Sequence, residues 1–114
     1  MNNFNINPGV YRHKIIIQRE DTENRISDDQ GGYTESWITF ADVWAEIETI
    51  KGQEVYKAAE FDTALTHRIK TRFIKGIDSK MRIVYGSRVF KIISAIDINE
   101  MHRQLEILCV ELVN

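Results

Sequence analysis

Apolar and polar residues alternate along most of this chain with a period of two, and the alternation changes register at definite places. In residues 11–20, Ile15 and Ile17 share one parity while Arg12, Lys14 and Gln18 lie opposite, with Ile16 interrupting the polar face. This predicts a half-buried strand. From Val43 onward, Val43, Ala45 and Ile47 point one way and Asp42, Trp44, Glu46 and Glu48 the other. Ile38 and Phe40 fall on the opposite parity to that apolar set, so a straight strand over residues 33–49 cannot bury both. A bulge at Ala41 and Asp42 reconciles them, and the bend it brings is what closing a small sheet into a barrel requires.

The period then shifts. After Gly52, the apolar residues Val55, Ala58 and Ala59 have helical spacing, which predicts a short helix over residues 53–61. Strand character returns in residues 64–73, with Leu65, His67, Ile69, Thr71 and Phe73 on one side and Thr66, Arg68, Lys70 and Arg72 on the other. A turn over 75–79 leads to a strand at 81–85, and Gly86 followed by Ser87 fits a two-residue type II′ hairpin. In residues 88–98, Phe90, Ile92 and Ile96 lie on one face and Val89, Ile93 and Ala95 on the other, as expected of a strand covered on both sides. Residues 102–113 form the last strand. The polar residues 21–30, leading into Gly31 and Gly32, read as a loop, and the Asn-rich residues 1–9 with Pro8 as an arm. The expected fold is mainly β: a small antiparallel β-barrel-like sheet of about six strands, with one short helix between the second and third. All 114 residues are expected to form a single domain.

Composition adds mostly exclusions. A net charge of −2 does not favour nucleic acid or an anionic membrane as the default partner. The one cysteine, Cys109, sits in an apolar strand and reads as a buried small hydrophobe. The first residues have no basic segment followed by an apolar one, and no apolar run approaches the ~20 residues of a membrane span, so a reducing cytoplasm is the expected compartment. His13, His67 and His102 lie in different predicted strands, none near a cysteine or aspartate at metal-ligand spacing. No glycine-rich phosphate loop or nucleophile motif is present. No catalytic residue, cofactor or metal is therefore expected.

The charged strand faces carry two readings. Arg68, Lys70 and Arg72 form a basic row, which on a small barrel could track single-stranded nucleic acid, although no aromatics interleave with it. Alternatively, the acidic row Asp42, Glu46 and Glu48 of one subunit meets the basic row of the next, a heterologous contact that can close a ring. Trp44 lies within the acidic row as a candidate interface anchor, and Trp37 is a candidate core ring.

The order of certain words is also informative. Gln18 and Arg19 end a strand, followed by Gly31-Gly32, Glu35-Ser36-Trp37 and the run Val43-Trp44-Ala45-Glu46-Ile47. Then come Gly52-Gln53-Glu54, Ala58-Ala59, Thr66-His67-Arg68-Ile69, Met81-Arg82-Ile83, Tyr85-Gly86, Arg88-Val89-Phe90-Lys91-Ile92 and a close over Leu105 to Glu111. In this order and spacing the chain resembles the head-tail adaptor proteins (head-tail joining, head-closure or stopper proteins) of long-tailed bacteriophages and prophages. The resemblance implies a small barrel-like virion subunit without catalytic residues. It implies a homo-oligomeric ring between portal and adaptor on the head side and a tail-completion protein on the tail side. Double-stranded DNA would pass through this ring without sequence-specific binding, and the ring would help close the channel after packaging. Assembly would take place in the host cytoplasm, with no membrane involved. In some members of that family the segment between the second and third strands faces the channel. Here that segment carries Lys51, Gln53, Glu54, Lys57, Glu60 and Asp62, a slightly acidic lining that would let DNA pass rather than grip it.

Overall fold

The computed structural model describes residues 8–23, 26–27, 33–34, 36–50, 57–58 and 63–113. Among them are ten strands: β1 (His13–Glu20), β2 (Ile26–Ser27), β3 (Tyr33–Thr34), β4 (Trp37–Thr49), β5 (Lys57–Ala58), β6 (Thr63–Ala64), β7 (His67–Arg72), β8 (Arg82–Tyr85), β9 (Arg88–Asp97) and β10 (Gln104–Leu112). Six of these close a barrel in the order β1-β4-β7-β10-β9-β8, every neighbouring pair antiparallel. Closure leaves the barrel no free strand edge, which removes the usual route to uncontrolled edge-to-edge pairing.

The inward residues follow the alternation. Ile15, Ile17, Ile69, Ile83, Phe90, Ile92, Ile107 and Cys109 are completely buried, with Ala45 among them. Val43 and Ile47 pack partly buried against this core. Thr71 and His67 are the buried polar residues among those described; the Thr71 hydroxyl is satisfied by the Arg72 carbonyl at 2.8 Å.

Two bulges keep apolar residues inward. Ile17 pairs with Ala41 but Gln18 with Thr39, so Phe40 is the extra residue of β4, immediately before the expected position. In the β9–β10 ladder, Ser94 opposes Leu108 and Ile92 opposes Cys109, leaving Ile93 as the extra residue. This second bulge corrects the sequence reading of β9. Ile96 does not share the inward face of Phe90 and Ile92 but lies 44% exposed, and Ala95 packs against the core instead.

Other differences are local. Ile26 and Ser27, expected in a loop, pair with Thr34 and Tyr33 in a short two-stranded ladder, and the expected strand over residues 33–49 enters the barrel only from Trp37. The helix expected over residues 53–61 is absent at Lys57 and Ala58, which pair as a strand with Ala64 and Thr63. Three small or β-branched residues at helical spacing are a weak helix signal, and a helix of that length has little stability without a packed face. The rest of that expectation lies outside the described residues. Of the expected arm, residues 1–7 also lie outside them, while Pro8–Val10 forms a single 3-10 turn. The hairpin at Gly86 is as expected: Tyr85 pairs with Arg88, and Gly86 has φ +60°, the left-handed value that the first central position of a type II′ turn requires.

Candidate functional site

The outer faces of β4, β7 and β10 form one charged surface. Across β4 and β7, Glu46 stands opposite Lys70 and Glu48 opposite Arg68; across β7 and β10, Lys70 stands opposite Glu106. Arg68 Nη1 donates to Glu48 Oε1 at 2.9 Å, and its Nε lies 3.7 Å from Glu106 Oε1. The Arg68 side chain is only 12% exposed. The acidic and basic rows picked out in the sequence are thus neighbours within one subunit. Arg68 and Lys70 have carboxylates beside them while Arg72 stands opposite Gln104, so the row Arg68, Lys70 and Arg72 is not an unbroken positive track. Arg72 itself stacks over the Tyr11 ring at 5.7 Å, and the Tyr11 hydroxyl accepts from Gln104 Nε2 at 2.8 Å. Burial is the main cause that pushes the Tyr11 phenol above its usual range.

Asp42 and Trp44 belong to a different surface on the β1 side of β4. Lys14 stands opposite Trp44 in the ladder, its ammonium 5.2 Å from the indole centroid and 3.4 Å from Asp42 Oδ1. Trp44 is 55% exposed, the one aromatic among the exposed large hydrophobics of the described residues. Register places Ile16, diagonal to Trp44, beside Val84, Val84 beside Val89, and Val89 beside Leu112. An aliphatic band therefore runs from Trp44 around the outside of the barrel. A large indole next to such a band is what a protein interface uses as an anchor.

Trp37 is not a core ring. It is half-buried, and the Arg82 guanidinium lies over its ring at 4.2 Å while Arg82 Nε donates to Gln18 Oε1 at 2.7 Å. Of the candidate channel residues, Lys57 lies in β5; Lys51, Gln53, Glu54, Glu60 and Asp62 lie outside the described residues.

The histidines are dispersed. His13 Nδ1 lies 2.9 Å from the Tyr85 hydroxyl, His67 is buried near Arg88 and Glu111, and His102 sits in the turn before β10, its ring 4.6 Å from that of Phe73. Among the described residues no three His, Cys, Asp or Glu side chains are grouped to hold a metal. Cys109 is buried, and desolvation pushes its thiol up to about 12, so it is an inert core residue.

Comparison with known proteins decides the family. The sequence profile of the phage head completion proteins matches residues 6–112. The chain belongs to the phage head completion protein family. One relative is head completion protein gp16 of Bacillus phage SPP1, 32% identical over 63 residues, which is 55% of this chain and 58% of that protein. The chain thus matches little more than half the length of this curated relative. Two solved structures share the fold. A protein of Shigella flexneri 2a, solved in solution, is 29% identical with a TM-score of 0.64 over 93% of this chain and 96% of its own. A chain in the virion of a native gene transfer agent particle is 19% identical with a TM-score of 0.58, over 90% of this chain and 96% of its own.

The sequence alone singled out Trp44 and the charged rows by alternation. It gave no sign of the Arg82–Trp37 stack or of the Thr66, His67, Arg88 and Glu111 cluster. Both depend on which strands pair around the closed barrel, and no local pattern encodes that.

Proposed function

We propose that this protein is a structural subunit of the phage head-tail connector. Copies assemble as a ring between the portal and adaptor on the head side and the tail-completion protein on the tail side, and the ring helps retain DNA after packaging. The family match across residues 6–112 supports this reading most strongly. The fold suits the task. An edgeless barrel is a stiff building block that does not polymerise through its strands, and its exposed Trp44 offers an anchor for a neighbour. Glu46, Glu48, Arg68 and Lys70 complement one another within the subunit. Exchanging such pairs for equivalent ones across an interface gains little energy but fixes register. The residues between β4 and β7 are the segment proposed to face the channel. The protein performs no chemical step in this role and works in the virion.

The test is sedimentation of the purified protein with a portal-adaptor complex. Co-sedimentation of ring-sized species is expected, weakened in Trp44→Ala. If wild-type protein stays in the supernatant at micromolar concentration, the proposal fails.

A further inference from the structure

Because barrel neighbours alternate in direction, the start of β7, the start of β9 and the end of β10 share one end of the barrel. Four residues meet there. Arg88 grips Glu111 at two points, Nε to Oε2 at 2.8 Å and Nη2 to Oε1 at 3.0 Å. The same Nη2 lies 3.4 Å from His67 Nε2. A guanidinium can only donate, so His67 Nε2 must present its lone pair, and the neutral ring carries its proton on Nδ1. That Nδ1–H donates to Thr66 Oγ1 at 2.9 Å. Thr66 Oγ1 also accepts the Glu111 backbone N–H at 2.7 Å, while its own hydroxyl faces the Cys109 carbonyl at 3.5 Å. The network closes on itself: Glu111 carboxylate, Arg88, His67, Thr66 and back to the Glu111 backbone.

We propose that this cycle of hydrogen bonds is an acid-released clasp, which ties the end of β10 to the start of β7 while His67 is neutral and opens when His67 takes up a proton. A protonated ring would turn Nε2–H toward the Arg88 donors, setting two cations side by side. Glu111, 3.9 Å from Nε2, is already engaged at both oxygens by Arg88. His67 is 7% exposed and its ring packs edge-on to Phe90 at 5.0 Å, so water solvates the new charge poorly in place.

Among the described residues, few groups face His67. From β9 comes Arg88, itself influenced by Tyr85 of β8; from β10 come Glu111 and the Cys109 thiol. Thr49, opposite on β4, is uncharged, and Arg68 on the same strand as His67 points to the outer face, paired with Glu48. Burial opposes the charged ring most strongly, Glu111 favours it, Arg88 opposes it less than Glu111 favours it, and the net direction is down from 6.5. The unfolded chain therefore binds the His67 proton more readily than the folded one. The clasp is complete above the ordinary histidine value and is lost as pH falls below it. Glu111, held below 4.5 mainly by its hydrogen bond from Arg88, makes its own loss in more acid solution, so the two steps separate.

The clasp also anchors the connection between β4 and β7. The Ile50 N–H donates to the Thr66 carbonyl at 2.9 Å, and the Thr66 N–H donates to the Cys109 carbonyl at 3.0 Å. Opening it loosens both ends of that connection and the end of β10, and leaves the β1–β8 seam intact.

Amide hydrogen exchange of the whole protein between about pH 7.5 and about pH 5.5, corrected for intrinsic rates, tests this. Protection of the Thr66 and Glu111 amides is expected to fall about tenfold while that of Ile17 and Ile83 holds. In His67→Gln the fall should vanish, whereas His13→Gln should retain it. A fall that persists in His67→Gln, or one shared equally by Ile17 and Ile83, overturns the clasp. The nitrogen shifts of the wild-type His67 ring give a second reading that needs no variant. A proton on Nδ1 at neutral pH is required, and a proton on Nε2 would refute the network.

Discussion

Phe90→Ala probes whether the barrel interior is the packed core that holds the protein together. Phe90 is fully buried, opposite Ile83 in the β8–β9 ladder, with the His67 ring edge-on at 5.0 Å and the Arg88 guanidinium over its face at 5.1 Å. Truncating a buried phenylalanine costs about 3–5 kcal/mol through lost transfer energy and the residual cavity. The ring-edge contact belongs to that total and is worth about 0.5–1.5 kcal/mol of it. The Arg88 contact adds less, because that side chain is 41% exposed. A loss of about 4 kcal/mol is a large part of the ~5–15 kcal/mol that typically stabilises a domain. With a urea slope of about 2 kcal/mol/M it lowers the unfolding midpoint by about 2 M. The assay is equilibrium urea unfolding followed by far-UV circular dichroism, with an unchanged slope as the check on two-state behaviour. A loss below about 1.5 kcal/mol, the range of partly exposed side chains, would refute a core centred on Phe90.

Other substitutions probe the surface and the turns. Trp44→Ala should cost under about 1 kcal/mol in the same unfolding assay, because the indole is more than half exposed, while weakening association with the connector. A double-mutant cycle between Arg82→Met and Trp37→Leu should return a coupling of about 0.5–1 kcal/mol, the worth of a surface guanidinium stacked on an indole. Gly86→Ala has open space for its methyl group but must hold φ +60°, so a loss of about 1 kcal/mol in urea unfolding is expected. Cys109 should resist thiol reagents in the native protein and react only at the rate of unfolding, followed by absorbance with a chromogenic disulfide.

The alternation of Ile15 with Ile17, and of Leu65, His67, Ile69 and Thr71, was enough to read β1, β7 and their inward faces. The parity conflict between Phe40 and Val43 located a bulge to within a residue, because a barrel cannot bury both sets without one. The bulge at Ile93 was not legible. Apolar residues stand on both faces of β9, so parity carried no signal, and Ile96 was assigned to the wrong side. The segment after Gly52 misled through spacing alone: Val55, Ala58 and Ala59 fit a helix, yet Lys57 and Ala58 pair as a strand. At the candidate surface, the sequence showed an acidic and a basic row but not that β4 and β7 are neighbours. Only the ladder reveals that Glu48 and Arg68 satisfy each other at 2.9 Å. For the same reason His67 read as one more inward residue, since its partners Arg88 and Glu111 lie more than twenty positions away along the chain and arrive only through the pairing of β7, β10 and β9.

The most direct measurement is on DNA-filled heads prepared without this protein. Purified protein is added, the heads are imaged by cryo-electron microscopy, and DNA released into the medium is measured by nuclease sensitivity. New ring-shaped density at the portal vertex together with reduced DNA release is the predicted result; heads that gain no density and leak as before would contradict a connector role.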